Sequence, residues 1–401
     1  MTDIKCNFSR REFLKTTAAA GLGSMISPLD CLATSSSQSQ VVPTRPFGNT
    51  GVDVPILTFG GSLDTSMSTL LLKQAVRWGV TYWDTAASYM GGKSERGMGR
   101  YFSKFPGDRK KIFLVTKSYA WTPRGMTRDL DTSLERMKTD YIDLYFLHAA
   151  RNPSGLENKL KIWAEKAKSA GKIRFFGFST HGNMEALLLE ASKLGWIDGI
   201  MMTYNYRLMH DENMRRGVDA CYEAGIGLTA MKTQGGGQIR TDTEVELELG
   251  GRFLQKGYTG AQARLKAVWE NPQISSICSE MPNTTLLMSN VAAATDRTKL
   301  SDRDLELLQQ YAKETRSDYC AGCADICEPT VEGKVPICDV MRYLMYARSY
   351  GSRHKALMGY HKLPRSTRMR MADTNYSLAE QRCPRKIPIG ALMREAVNEL
   401  A

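Results

Sequence analysis

The sequence predicts an α/β protein, a (β/α)8 TIM barrel with an appended, mainly helical C-terminal unit. From Pro55 onward, short apolar runs alternate with amphipathic ones, which is typical of βα units. Eight of the apolar runs are candidate strands, and eight is the number that closes such a barrel. The candidate strands begin near Ile56, Tyr82, Ile112, Tyr141, Ile173, Ile200, Gly227 and Ile274.

The segments between the strands carry helical signals. Leu130, Leu134 and Met137 follow the i, i+4, i+7 spacing of a helix with one apolar face. After the last strand, Ser301 and Asp304 form the pattern of a helix-starting capping box. We therefore predict three segments: a signal and linker over residues 1–42, the barrel over 43–299, and a cysteine-containing unit over 300–401.

Composition narrows the class of protein. The 401 residues are 42% hydrophobic, which is enough for a full core, and the chain has no apolar run long enough for a permanent membrane span. The net charge is +12, and residues 341–401 carry 12 Lys or Arg against 4 Asp or Glu. This basic region suits an anionic substrate or partner. No nucleic-acid-binding motif accompanies it, so no nucleic-acid partner is expected.

The first residues resemble an export signal. Arg10 and Arg11 precede a mildly apolar, Ala- and Gly-rich segment over residues 16–29, as in a twin-arginine signal. A polar run over residues 34–40 follows as a linker. We expect a periplasmic or otherwise exported protein whose partner is the twin-arginine export machinery. The alternative is a basic, disordered tail.

Four polar residues close or follow predicted strands, in the order Asp84, Tyr89, Lys117 and His148. The carboxyl ends of barrel strands meet at one rim, so we expect these side chains to lie together. A phenol of ordinary pKa, about 10, is a poor acid at neutral pH. An ammonium from Lys117, held by Asp84, is expected to lower the pKa of Tyr89. Tyr89 is then the candidate acid for a carbonyl oxygen, with His148 as a second donor or substrate-orienting group.

With these residues the sequence resembles the aldo-keto reductase family. The family's tetrad is an Asp, a Tyr five residues later, a Lys closing the next strand and a His closing the one after, and the four residues above fit it position for position. Residues 89–99 resemble the stretch after the family's tyrosine, and residues 45–51 its opening hairpin. The resemblance covers about residues 43–295.

The resemblance implies an oxidoreductase that transfers a hydride between a nicotinamide cofactor and a small carbonyl or alcohol substrate. One alternative is an exported oxidoreductase acting on a sugar-like substrate with a tightly retained cofactor. A second alternative, from another class, is a non-catalytic cofactor-binding barrel that has lost turnover. Loops set specificity on this fold, so the sequence leaves the substrate open.

The resemblance also assigns residues to the nicotinamide end of the cofactor. The family holds the carboxamide with a Ser–Asn pair after strand five, and here Ser179 is kept while Thr180 replaces the asparagine. Met201 stands where the family has a glutamine on strand six, and Met231 replaces a stacking tyrosine on strand seven. These departures favour the non-catalytic alternative, and the complete tetrad opposes it.

The diphosphate end is assigned to a glycine loop. Gly235, Gly236 and Gly237 follow predicted strand seven, where glycines let backbone amides approach a diphosphate. Their position matches the family's phosphate loop.

The choice between NAD and NADP is assigned to residues after strand eight. Many relatives hold the 2′-phosphate of NADP there with a Lys and an Arg. Aligned on Asn290, those positions are Glu280 and Leu286 here. A carboxylate repels a phosphate and favours a free ribose hydroxyl, so NAD is favoured over NADP, with Lys232 as a replacement cation in the other case.

The nine cysteines include a cluster near the C-terminus. Cys320, Cys323 and Cys327 lie close enough to face one iron–sulfur centre, with Cys338 or Cys383 as the fourth ligand. We favour Cys383, because with the proline after it this residue resembles the ending of a ferredoxin-type motif. The alternatives to a 4Fe–4S cluster are a site of reduced thiols, zinc, or disulfides.

Overall fold

The computed structural model describes residues 41–153, 156 and 158–401, and residues Val41–Ala401 form one compact unit. The predicted signal, with Arg10 and Arg11, lies outside the described residues, as do two of the nine cysteines. Export therefore stays a prediction.

Eight parallel strands close into a barrel in sequence order, with the last strand paired to the first. This confirms the predicted (β/α)8 TIM barrel. The strands are β3 (Leu57–Gly60), β4 (Tyr82–Asp84), β5 (Phe113–Ser118), β6 (Ile142–Leu147), β7 (Ile173–Thr180), β8 (Gly199–Thr203), β9 (Gly227–Met231) and β10 (Ser276–Glu280).

An antiparallel hairpin closes the amino-terminal end of the barrel. Its strands are β1 (Thr44–Pro46) and β2 (Asp53–Pro55). The fully buried ring of Phe47 follows β1 and packs 5.5 Å from the Phe113 ring, centroid to centroid. A Cβ atom at Gly227 would lie 2.5 Å from the Phe47 ring, so glycine is required where the strand passes this ring. The hairpin therefore leaves the carboxyl-terminal rim as the open end.

Helices surround the barrel strands and cover their outer faces. The helix over Pro123–Met137 buries Leu130 and Met137, as its periodicity predicts. These helices are α1 (Thr69–Arg77), α2 (Lys93–Lys104), α3 (Pro123–Met137), α4 (Asn158–Ser169), α5 (Met184–Ala191), α6 (Glu212–Glu223), α7 (Glu244–Gln255), α8 (Gly260–Trp269) and α9 (Thr284–Thr295).

A helical region follows the barrel, as predicted. Ser301 and Asp304 form the predicted capping box at the start of its first helix. The helices are α10 (Asp302–Glu314), α11 (Ala324–Cys327), α12 (Ile337–Arg348), α13 (Arg353–His361), α14 (Arg365–Arg370), α15 (Ser377–Arg382) and α16 (Ile389–Leu400).

The helical region contains two cores. Helix α10 packs on α7 of the barrel and shares its apolar cluster, through residues such as Leu308 and Phe253. A separate cluster begins at Ala324 and runs to Leu400. The predicted domain boundaries stay predictions, since the described residues form one unit. Within the part of the chain that the structure describes, no helix has the length and apolar character of a membrane span.

Candidate active site

The four residues of the predicted tetrad lie at the carboxyl-terminal rim of the barrel. Asp84 is the last residue of β4, and Lys117 is the fifth of the six residues of β5. His148 directly follows β6, and Tyr89 begins a short 3-10 helix, Tyr89–Gly92. Three of the side chains thus lie at or directly after a strand end, and Tyr89 follows β4 by five residues.

An ion pair forms the floor of this site. The Lys117 ammonium pairs with the Asp84 carboxylate and donates a hydrogen bond to the Thr85 carbonyl oxygen at 2.8 Å. Both charged side chains are buried, at 1% and 3% exposure. The Lys117 Nζ atom lies 5.0 Å from the centroid of the Tyr89 ring. The cation is therefore fixed beside the phenol by two acceptors.

The electrostatics of Tyr89 differ from the expectation. Desolvation by the surrounding side chains raises the pKa of Tyr89 well above 10, and the Asp84 carboxylate raises it further. The Lys117 ammonium is engaged by Asp84, so desolvation and the Asp84 charge outweigh the stabilisation that it gives the phenolate. The prediction of a lowered pKa was therefore wrong for this arrangement, and Tyr89 stays protonated at neutral pH.

His148 is a neutral imidazole in this site. Burial lowers the pKa of His148 well below 6.5, and the nearby cation Lys117 lowers it further. Its ring meets Tyr89 edge-on at 5.7 Å and stacks on Tyr119 at 4.1 Å. The buried His148 Nδ1 has no hydrogen-bond partner among the described residues. A neutral ring with a free nitrogen can bind a substrate oxygen.

The structure adds residues that the sequence reasoning missed. Tyr346 and Arg342 come from helix α12 of the C-terminal region, and their charges act on the rim groups. Although burial opposes it, Lys232 and Arg342 hold the pKa of Tyr346 below its ordinary value. The Cys278 thiol on β10 also interacts with Asp84. These residues are distant in sequence from the tetrad, and no motif marks them.

The residues predicted to hold the nicotinamide carboxamide use their polar groups within the chain. Ser179 Oγ accepts a hydrogen bond from the Ala149 amide at 3.1 Å. Thr180 Oγ1 donates to the Ala150 carbonyl oxygen at 2.8 Å. Met201 and Met231 belong to the apolar cluster inside the barrel. None of these four side chains offers an amide group to the nicotinamide carboxamide.

The predicted diphosphate loop is also engaged. The Gly235 carbonyl oxygen accepts a hydrogen bond from Arg207 at 2.7 Å, and the Gly237 carbonyl oxygen accepts one from Ser349 at 2.5 Å. A Cβ atom at Gly236 would lie 2.6 Å from the Ser349 Cβ. The C-terminal region thus stands directly against the glycine loop.

The remaining predicted cofactor residues have partners too. Glu280 forms an ion pair with Lys355 of helix α13. Lys232 Nζ lies over the Tyr346 ring at 4.8 Å, and Asn290 donates to Ser279 Oγ at 2.9 Å. In this arrangement of the chain, the predicted residues do not fit an extended dinucleotide.

The C-terminal thiols converge on one cavity. Its lining includes the five cysteines near the C-terminus, and Cys338 Sγ lies 3.9 Å from Cys320 Sγ and 4.0 Å from Cys327 Sγ. All seven described cysteines are free thiols. Within residues 41–153, 156 and 158–401, no group of three or more His, Cys, Asp or Glu side chains is placed to hold a metal ion. The five cysteines are Cys320, Cys323, Cys327, Cys338 and Cys383.

Comparison with known proteins agrees with the fold and the rim. Residues 57–285 match the Aldo/keto reductase family. The chain belongs to this family, in which NAD or NADP is the usual cofactor and a small molecule the usual substrate.

Individual relatives are distant. The NADP(+) aldo-keto reductase yakc of Schizosaccharomyces pombe is 34% identical over 158 residues, which is 34% of this chain and 45% of that protein. L-Galactose dehydrogenase of Arabidopsis thaliana is 23% identical over 67% of this chain and 93% of that protein. The structure of a thermostable aldo-keto reductase with the inhibitor epalrestat covers 67% of this chain and 99% of its own, at 25% identity and a TM-score of 0.57.

Proposed function

We propose that this chain interconverts a carbonyl and an alcohol on a small molecule, with Tyr89 moving the proton. The observation that carries the proposal is the buried Lys117–Asp84 ion pair beside the Tyr89 phenol, at the carboxyl-terminal rim of the barrel. Such a rim is where these barrels do chemistry. Membership of the family supports the same reaction class.

In the reducing direction, the protonated Tyr89 phenol donates its proton to the carbonyl oxygen as that oxygen gains charge. Lys117 then stabilises the resulting phenolate, and Asp84 keeps the ammonium in place. His148, neutral and with an unpartnered Nδ1, orients the substrate oxygen by a hydrogen bond. General acid catalysis of this kind contributes about 10² to 10⁴-fold to the rate.

The hydride partner in the proposal is nicotinamide, which is typical of the family, with NAD favoured over NADP. Glu280 is the basis of that preference, because a carboxylate repels the 2′-phosphate. The described residues support the proton-transfer step of this reaction.

The substitution Tyr89→Phe tests the proposal. It removes the proton donor and keeps the ring, so turnover should fall about 10² to 10⁴-fold. L-Galactose is tested with NAD⁺ and a panel of small aldehydes with NADH. The readout in both cases is the absorbance of NADH. Tyr222→Phe is the matched control, because this tyrosine is 56% exposed on helix α6. Near-full turnover by Tyr89→Phe would exclude Tyr89 as the proton donor.

Two alternatives are separated by the same assays. An exported, sugar-type oxidoreductase with a retained cofactor would copurify with NAD(H) and turn over L-galactose, in keeping with the name of one relative. A non-catalytic cofactor-binding barrel would bind NADH with no turnover in the native chain. The departures at Thr180, Met201 and Met231 from the family's nicotinamide residues favour this second alternative.

We also propose that the C-terminal thiols bind a 4Fe–4S cluster through Cys320, Cys323, Cys327 and Cys383. The support is that these thiols line one cavity and that thiolates are the usual ligands of such clusters. Iron and sulfide analysis of protein purified without oxygen should give about four of each per chain. Cys383→Ala should lose this iron, whereas Cys221→Ala, a buried thiol of the barrel, should keep it. Iron-free native protein would exclude the cluster.

A further inference from the structure

The glycine loop after β9 is in contact with the end of helix α12. Besides the bond from Ser349 to the Gly237 carbonyl oxygen, Arg348 donates to the Gln238 carbonyl oxygen at 3.1 Å. A Cβ atom at Gly236 would also lie 3.1 Å from the Tyr350 ring. Three successive residues of the loop, 236–238, are thus in van der Waals or hydrogen-bond contact with residues 348–350.

The opposite side of the same loop is held as well. A Cβ atom at Gly237 would lie 2.0 Å from the Asp318 carbonyl oxygen, which also accepts a hydrogen bond from the Gln238 amide at 2.8 Å. The Gln238 side chain accepts a bond from the Cys320 amide at 3.0 Å. Residues 318–320 therefore fix the loop from one side while Ser349 and Tyr350 cover it from the other.

The charged groups on each side of the loop are paired with the C-terminal region too. Lys355 neutralises Glu280, and the Tyr346 ring lies against Lys232. Both barrel residues were predicted to meet the cofactor. A dinucleotide that used this groove would have to separate both pairs.

A diphosphate is bound when backbone amides approach its oxygens to hydrogen-bond distance, about 3 Å. At this loop Ser349 and Tyr350 lie against Gly236, and Ser349 donates to the Gly237 carbonyl oxygen. We propose that the end of helix α12, residues 346–350, together with Lys355, occupies the dinucleotide groove, so that docking of this segment and dinucleotide binding exclude each other. The proposal rests on the nicotinamide-dependent function above and adds to it an internal competitor.

The proposal has a reciprocal consequence. If only the fraction of molecules with the segment displaced can bind, the apparent dissociation constant rises by the inverse of that fraction. By linkage, bound dinucleotide must release the segment by the same factor. Both effects are measurable on the full chain.

The first experiment weakens docking without changing charge. Ser349→Phe removes the hydrogen bond to the Gly237 carbonyl oxygen and adds a ring beside Gly236, which weakens docking of the segment. Ser366→Phe is the matched control, because Ser366 is exposed on helix α14. We expect Ser349→Phe to bind NADH at least 10-fold more tightly than Ser366→Phe, by fluorescence titration at one ionic strength. NADPH measured alongside should bind less tightly than NADH.

Lys355→Met is a second, milder variant, which removes the ion pair to Glu280 and keeps the length of the side chain. It should tighten NADH binding in the same direction as Ser349→Phe. It keeps the proposal testable if the phenylalanine variant does not fold.

The reciprocal experiment uses the native chain. Hydrogen exchange of peptides covering residues 345–355 should speed up when NADH is added to saturation. Slower or unchanged exchange in this segment with NADH bound would overturn the proposal, as would equal NADH affinity of all variants. Hydrogen exchange of the variants shows whether their segment is released. If it is released and still no variant binds NADH or NADPH, the nicotinamide-dependent function is excluded, and the proposed competition is excluded with it.

Discussion

The surroundings of the Tyr89 phenol determine whether it acts in carbonyl reduction or in alcohol oxidation. Desolvation and the Asp84 carboxylate keep its proton bound, while Lys117 is fixed at 5.0 Å from its ring by that same carboxylate. A bound proton is what carbonyl reduction needs. Alcohol oxidation needs the phenolate instead, so the two directions must depend on pH in opposite ways.

The pH dependence of kcat/KM should show this opposition. A raised pKa keeps Tyr89 protonated below that pKa, so reduction should stay level from neutral pH past 10 and fall only as the pH rises through the raised pKa. Oxidation should rise about 10-fold per pH unit over the same range. The lowered pKa of His148 adds no fall between pH 7 and 6. Steady-state profiles in both directions check this, and an inflection of the reducing limb near pH 7 would contradict it.

The positions of the tetrad residues could be predicted from the sequence, and their electrostatics could not. Asp84 and Lys117 were predictable because a polar residue that ends an apolar strand is visible in one short segment. The pKa of Tyr89 depends on how many side chains surround it, including Tyr346 from a helix far along the chain. Single-sequence patterns contain no information about such contacts.

At the scale of elements, the hairpin and the barrel strands support each other. The Phe47 ring fills the amino-terminal end of the barrel and touches Tyr82 and Phe113, while Gly199 and Gly227 leave room for it. One side chain of the hairpin thereby anchors several strands. The hairpin was expected from the resemblance of residues 45–51 to the family.

Phe47→Ala should therefore lower the free energy of unfolding by about 3–5 kcal/mol, through lost burial and the cavity left behind. Leu70→Ala, which changes a residue 81% exposed on helix α1, should change it by less than about 0.5 kcal/mol. Urea denaturation followed by circular dichroism gives both values. Equal stability of the two variants would mean that the hairpin does not anchor the barrel.

Strand number and order were predictable because each buried strand is a short apolar run between polar segments. Three of the eight predicted starts coincide with the strand starts and the other five differ by one or two residues, as at Ile274, which is buried but precedes β10. Because burial extends beyond the hydrogen-bonded ladder, an apolar run can be longer than the strand that it contains. The docking of helix α12 on the rim could not be predicted, because no residue pattern states which surface an appended helix covers.

At the scale of the whole molecule, the C-terminal region is bonded to the rim at many points. The Asn183 amide donates to the Gly322 carbonyl oxygen at 2.8 Å, and Arg151 pairs with Asp339. These contacts bring the thiol-bearing loop next to the loop that follows β7. The twin-arginine route, which carries folded proteins, stays a prediction from the sequence.

That route predicts a specific effect of the two arginines. Changing Arg10 and Arg11 together to lysine should leave the protein in the cytoplasm, since the pair is what the export machinery reads. Lys110→Arg with Lys111→Arg, an exchange of the same kind on the exposed surface, should leave localisation unchanged. Immunoblots of periplasmic and cytoplasmic fractions decide the question. Normal periplasmic levels of the Arg10→Lys, Arg11→Lys variant would show that no such signal operates.

The close approach of Gly237 to Asp318 bears on how this chain can be recombined. A barrel without residues 318–401 would lack the Asp318 carbonyl oxygen and could accept larger side chains at position 237, whereas this chain has room only for glycine there. The C-terminal region and the rim thus fit each other closely at this point. Chimaeras that join this barrel to another C-terminal region should lose that fit, so we expect that the two parts cannot be exchanged as separate modules.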